Sequence, residues 1–235
     1  MKKIFLVVMI CSFSKLFSQE TIRYQTHSQI FSLSPISKRV DKVNGLVLGV
    51  GHYDSRFIDK QTINGINIEA NPTALVIPFF VFYLPEIIRK NKNNIDKDSL
   101  QIIKVNKEKP FIQMNGLNVS SGCFMTAANV NGLSVSLFNK INKMNGITIT
   151  GLGLQSDALN GFSVGAYNGT NKLNGVCIGL FNETYSLKGT QIGFYNYSVT
   201  NSGVQVGVFN MSKSKGFQIG LWNINNKRSM PFINW

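Results

Sequence analysis

The chain has 235 residues, of which 15% are charged and 21 are glycine, and a formal net charge of +13. That length suits one domain with its own core, and three cysteines are too few for a disulfide framework or a thiolate metal site. The basic excess would admit nucleic acid, but the amino terminus argues for export, where anionic lipid, polysaccharide or plain solvated lysines fit better.

Residues 1–18, MKKIFLVVMICSFSKLFS, read as a secretory signal peptide. Lys2 and Lys3 precede an apolar stretch too short to span a bilayer, and Ser18 stands before Gln19. Cleavage is expected after Ser18. A lipoprotein signal at Cys11 is disfavoured by the bulk of Ile10.

Residues 19–72 hold strands and two loose copies of a phrase repeated later, "NGLVLGV" at Gly45 and "NGINIEA" at Gly65. In "GHYDSRF", His52 alternates with Asp54 and Arg56. Such a trio could hold an anion or move a proton, but a solvated strand end is the expected reading.

Residues 73–110 interrupt the pattern with "TALVIPFFVFYLPEII" followed by "RKNKNNIDKDS". The apolar run is shorter than the ~20 residues of a membrane helix and contains Pro78 and Pro85. It is expected to cover one end or side of the fold. The competing reading is a membrane contact through residues 74–88, with the basic stretch facing anionic headgroups.

Residues 111–235 are a regular repeat with a terminal cap. The first glycines of its copies are Gly132, Gly146, Gly161, Gly175, Gly189, Gly203 and Gly216, spaced 14, 15, 14, 14, 14 and 13 apart; a looser copy begins at Gly116. A fixed period of this kind marks a repeat architecture. Within "SGVQVGVFN", alternation argues for a strand. Val204, Val206, Val208 and Asn210 are placed on one face, expected to be the core. Gly203, Gln205, Gly207 and Phe209 are placed on the other. The Gly146 copy, "GITITGLGL", has one extra residue and reads as a bulge or a kink in the array.

Two all-β architectures bury such strands: a β-solenoid with ~14-residue coils, or an up-and-down outer-membrane β-barrel. Turn chemistry that recurs after every strand, with Leu159, Leu173 and Leu187 each two residues before a glycine, favours the solenoid. Stacked coils would then align Asn139, Asn168, Asn182, Asn196, Asn210 and Asn223 into an amide ladder. They would also align Phe138, Tyr167, Phe181, Tyr195, Phe209 and Trp222 into an aromatic stripe at ~4.8 Å spacing. That stripe is the candidate recognition surface, for an envelope glycan or a surface protein; its structural role would be to cover neighbouring glycines.

The repeat offers no carboxylate pair, nucleophile triad, phosphate loop or metal-ligand spacing. A non-enzymatic protein without a cofactor or a nucleic-acid partner is expected. The sequons at Asn168, Asn182, Asn196 and Asn210 arise from the repeat itself. Cys123 and Cys177, about four coils apart, are not expected to pair. Pro231, Phe232 and Trp235 are expected to close the array.

The phrase G-φ-Q-φ-G-φ-aromatic-N, with the tail "NKRSMPFINW", resembles a bacterial surface-repeat family of spirochaete and Bacteroidetes type. The resemblance covers residues 111–235 well and 43–72 loosely. It implies export and exposure at the cell surface or outer membrane of a Gram-negative-type bacterium, and it brings no catalytic residues. The expected function is a scaffold or adhesion-type surface protein, with an integral outer-membrane barrel, for which a small pore is one role, as the alternative.

Overall fold

The computed structural model describes residues 27–52, 60–74 and 109–235. The signal segment, Asp54, Arg56 and residues 75–108 of the apolar and basic interruption lie outside the described residues.

The chain is a parallel β-solenoid. Its strands are β1 (His27–Ser34), β2 (Val40–Gly49), β3 (Gln61–Glu69), β4 (Ile112–Ser120), β5 (Cys123–Met125), β6 (Ala128–Val164), β7 (Tyr167–Leu187), β8 (Thr190–Asn201), β9 (Val204–Ser212), β10 (Phe217–Ile224) and β11 (Ser229–Asn234). Among the described residues they form one eleven-stranded sheet in chain order, with β5 pairing only β6. All pairs are parallel except β10 with β11. An up-and-down barrel needs antiparallel neighbours, so the barrel alternative is excluded. Strand β6, at 37 residues, stays in the ladder through more than two 14-residue coils.

The repeat spacing sets the register. Gly161 pairs with Gly175, Gly179 with Gly193, and Gly193 with Gly207. The looser early copies obey the same rule, since Gly45 pairs with Gly65, Gly65 with Gly116 and Gly116 with Gly132. Strands β3 and β4 therefore keep the repeat register, although residues 75–108 fall between them in sequence. Glycine is required at these rungs by close approach: at Gly116, with φ +132°, an added Cβ would lie 2.1 Å from the Gly65 carbonyl oxygen.

The extra residue of the Gly146 copy falls between Thr150 and Gly153. Gly161 stacks on Gly146, fifteen residues back, whereas Gly153 pairs with Tyr167, fourteen on. The expected irregularity is thus confined to one corner.

The interior differs from the expectation. Val204, Val206 and Val208 do not form the core; Gln205, Asn210 and Ser212 do, at 0%, 1% and 3% exposure. Strict alternation fails because the chain turns a corner after Gly207. The ladder joins Gly193 to Gly207 and Tyr195 to Phe209 and skips the residue between. Gln205 and Asn210 therefore both point inward, while the valines and Phe209 point outward.

Burying amides is costly unless they are paired, and stacking pairs them. Asn168, Asn182, Asn196 and Asn210 each hand an Nδ2 proton to the Oδ1 of the next across 2.8 Å, ending at Asn223. The other proton of Asn196 goes to the Val206 carbonyl at 2.9 Å. The Gln218 Nε2 donates to Gln205, and Gln205 Nε2 to Gln191, each at 2.8 Å. Asn139 is buried too, but Leu154 stands in the next coil at the rung that pairs with Asn168. Asn139 instead donates to Ser134 and Thr148.

One apolar column supplements these ladders. It runs through Val43, Ile63, Met114 and Val130, continues to Leu159, Leu173 and Leu187, and is at most 1% exposed throughout. It ends where Leu187 pairs with Asn201. The three leucines singled out as turn markers are thus core residues.

Candidate functional site: an outward apolar and aromatic face

The stretch of each coil that starts at the repeat glycine presents apolar side chains to solvent. One column runs from Leu33 through Leu48, Ile68 and Val119 to Val135. It resumes from Val164 through Ile178, Ile192 and Val206 to Ile219 and Ile233. Its members range from half-buried, as at Val119, Val164, Ile178 and Val206, to exposed, as at Leu33 and Ile233; Ile149, 47% exposed, lies between the two runs at the repeat spacing. A second column at the corner includes Leu180, Phe194 and Leu221, at 58%, 49% and 63% exposure. Between these columns the glycines at 193, 207 and 220 leave a shallow open groove.

The aromatic stripe borders this face. Phe181 pairs with Tyr195, Tyr195 with Phe209, and Phe209 with Trp222. Tyr167 leads into this row. Phe138 does not join it directly, because Gly153 occupies the rung opposite Tyr167, and Phe138 pairs instead with Cys123. The rings are spaced as neighbours and not stacked face to face. The Phe181 and Tyr195 centroids are 6.5 Å apart and tilted, and Phe209 meets Phe194 edge-on at 5.7 Å. The stripe lies on the same outward side as the aliphatic columns; it was expected opposite them.

Two tyrosines reach over the next part of the coil. The Tyr167 hydroxyl donates to Glu183 at 3.1 Å, and Tyr195 to the Met211 sulfur at 3.9 Å. Burial raises the pKa of Tyr167, and the Glu183 charge adds to this. Burial likewise raises Glu183.

His52 is the second feature. It is not at a solvated strand end; it is buried with Phe124 edge-on at 6.3 Å. Its Nε2 lies 3.2 Å from both Asn67 Oδ1 and Glu69 Oε1. Asn67 in turn donates to Glu69 at 3.0 Å and to Asn118 at 2.7 Å. Desolvation lowers the His52 pKa to about 4, against which the Asn67 hydrogen bond acts, and desolvation raises that of Glu69. His52 is therefore neutral at pH 7 and shares its Nε2 proton with the Asn67 and Glu69 oxygens. Glu69 was not singled out in the sequence. Its position two residues after Asn67 on a strand, both facing inward, was the available signal.

An outer amide row was also missed. Asn44, Asn64, Asn115, Asn131, Asn145, Asn160 and Asn174 are linked by side-chain hydrogen bonds of 2.6–2.9 Å. The recurrent Asn-Gly dipeptide was its signature.

The four sequon asparagines are buried in the inner ladder, so the folded chain does not offer them for modification. Among the described residues no group of three or more His, Cys, Asp or Glu is placed to hold a metal ion, and no helix is long and apolar enough to cross a membrane. No protein-family model, no curated protein and no solved structure matches the chain.

Proposed function

We propose that this chain is a non-enzymatic, exported surface protein whose solenoid displays a flat binding face to envelope glycans or a surface protein. The observation that carries this reading is the outward orientation of the aromatic row. Phe181, Phe209 and Trp222 are 49%, 43% and 45% exposed, although the fold places polar amides in its interior. Large exposed apolar patches mark interaction surfaces, and aromatic rings supply rigid contact area for sugar faces and protein partners. The signal-like amino terminus and the resemblance of the phrase to surface-repeat proteins support export to the cell surface or outer membrane.

The test is a Tyr167/Tyr195/Trp222 triple alanine variant. It should keep the β circular-dichroism signal of the parent and lose binding to envelope polysaccharide or to whole cells. A folded triple variant that binds as well as the parent would leave the stripe as a feature of the scaffold alone.

A further inference from the structure

We infer that two copies of this chain associate face to face through the outward aliphatic columns. This goes beyond the glycan or surface-protein reading, because it concerns the columns beside the stripe and not the stripe itself.

Four features identify a second copy as the occupant. The first is area. From Leu33 to Ile233 the rungs, about 4.8 Å apart, give a strip about 50 Å long; a third column, with Ile66, Leu133 and Phe217 exposed, joins the two already described and makes it about 15 Å wide. The product, roughly 750 Å², is about what each partner contributes to a stable interface. The second is chemistry. From Leu33 to Ile233 the central column holds only Leu, Val and Ile. The third is charge. The lysines of the later coils, Lys172, Lys188, Lys213 and Lys215, fall outside the stretches that build the face. Two copies of a +13 chain can therefore meet here without opposing like charges.

The fourth is shape. The strip is a ribbon with a polar border on one side, where the outer amide row runs from Asn44 to Asn174, and the aromatic stripe on the other. A bilayer would submerge that row with the ribbon. A second sheet packing about 10 Å away meets only the side chains between the borders. The repeat supplies the register, because every rung offers the same aliphatic knob at the same step.

Sedimentation velocity over a wide concentration range tests this. The parent should sediment at twice the mass of the chain. Ile149→Lys with Ile178→Lys should weaken association by about 30-fold or more, as expected for charges placed at the centre of an interface. Tyr185→Lys, exposed on the other stretch of the coil, should leave the dimer intact. Should the double lysine variant fail to fold, Ile149→Thr with Ile178→Thr keeps the β-branched shape, and weakened association of that pair supports the proposal. A parent that is monomeric throughout overturns it, whether or not that monomer binds anionic vesicles. So does a folded face variant, lysine or threonine, that dimerises like the parent. Polysaccharide binding by the stripe variants is read separately, so either proposal can fail alone.

Discussion

The Gln205 side-chain amide donates to the Gln191 side-chain oxygen across 2.8 Å in the solenoid interior, and Gln218 donates to Gln205 in the same way. All three glutamines are 0% exposed. Each side-chain oxygen is satisfied from the same rung of the next strand, by a glutamine amide at Gln191 and Gln205 and by Asn234 at Gln218.

Replacing the middle rung should therefore cost more than replacing an outward valine. Gln205→Leu leaves the Gln191 oxygen and one Gln218 proton without partners, at about 1–3 kcal/mol for each orphaned group. Val206→Thr, on the outside, should stay within about 0.5 kcal/mol of the parent. Urea midpoints of the two variants, read by circular dichroism, check the contrast.

Gly207 packs against the inner ladder. An added Cβ there would lie 2.2 Å from the Gly193 carbonyl oxygen and 2.5 Å from Asn196 Nδ2. Gly207→Ala must displace both the backbone and the amide row, so a loss above about 3 kcal/mol is expected, among the larger single-site effects. At Gly151 the nearest atom is a Leu137 methyl at 3.2 Å, and Gly151→Ala should be close to neutral. Thermal melts of the pair distinguish a close-packed rung from an open corner.

The buried His52–Glu69 pair makes stability depend on pH in two opposing ways. His52 titrates at 6.5 when solvated and at about 4 in the fold. Its contribution is full above pH 6.5 and is lost as pH falls through 4. The raised pKa of Glu69 favours the acid form, so its contribution is full below its ordinary 4.5 and is lost as pH rises through the folded value. Glu69→Gln removes the second effect. That variant should lose roughly 3 kcal/mol between pH 6.5 and 4, at ~1.4 kcal/mol per tenfold. Urea midpoints across that range should fall steadily, and adding His52→Gln should flatten them.

The thiols should react very differently. Both cysteines among the described residues are free, and Cys177 is buried while Cys123 is partly exposed. Burial pushes Cys177 up to about 12 and also raises Cys123, where a hydrogen bond with Thr73 acts against it. Because the thiolate is the nucleophile, native protein should label at Cys123 at least about 100-fold faster with iodoacetamide. Peptide mapping after a timed quench provides the measurement. A linked 123–177 peptide would contradict the stack.

The carboxyl-terminal strand closes the array through an amide and not through its aromatics. Phe232 and Trp235 are 69% and 58% exposed, contrary to their expected role as covers. The buried residue is Asn234, whose Nδ2 donates to Gln218 at 3.1 Å. Strand β11 runs antiparallel to β10 and so ends the parallel stack, and the Arg228 guanidinium sits 4.1 Å over the Trp235 ring. Deleting residues 227–235 should expose the β10 edge and cause aggregation. Asn234→Leu, which keeps the strand but orphans the Gln218 oxygen, should lower stability without aggregation. Light scattering and melting temperature separate the two.

Much of the architecture is legible in the sequence. The spacing of Gly132, Gly146, Gly161 and their successors, with asparagine at one offset, specifies stacked coils, because a ladder of identical residues needs identical chain length per turn. The inner ladder from Asn168 to Asn223 and the row from Tyr167 to Trp222 follow from that period alone. Tertiary structure decided which way the strands face. Periodicity places alternate residues on opposite sides but does not say which side is inside. The usual rule, apolar inward, assumes that buried amides lack partners. Here the stack supplies those partners rung by rung, so Gln205 and Asn210 go in and Val206 comes out. The corner after Gly207 that makes this possible is a backbone turn of one residue, invisible to a two-residue period. The same limit applies to His52: only the meeting of β3 with the chain beyond β2 brings Glu69 and Asn67 to it, a contact between segments that no local pattern encodes.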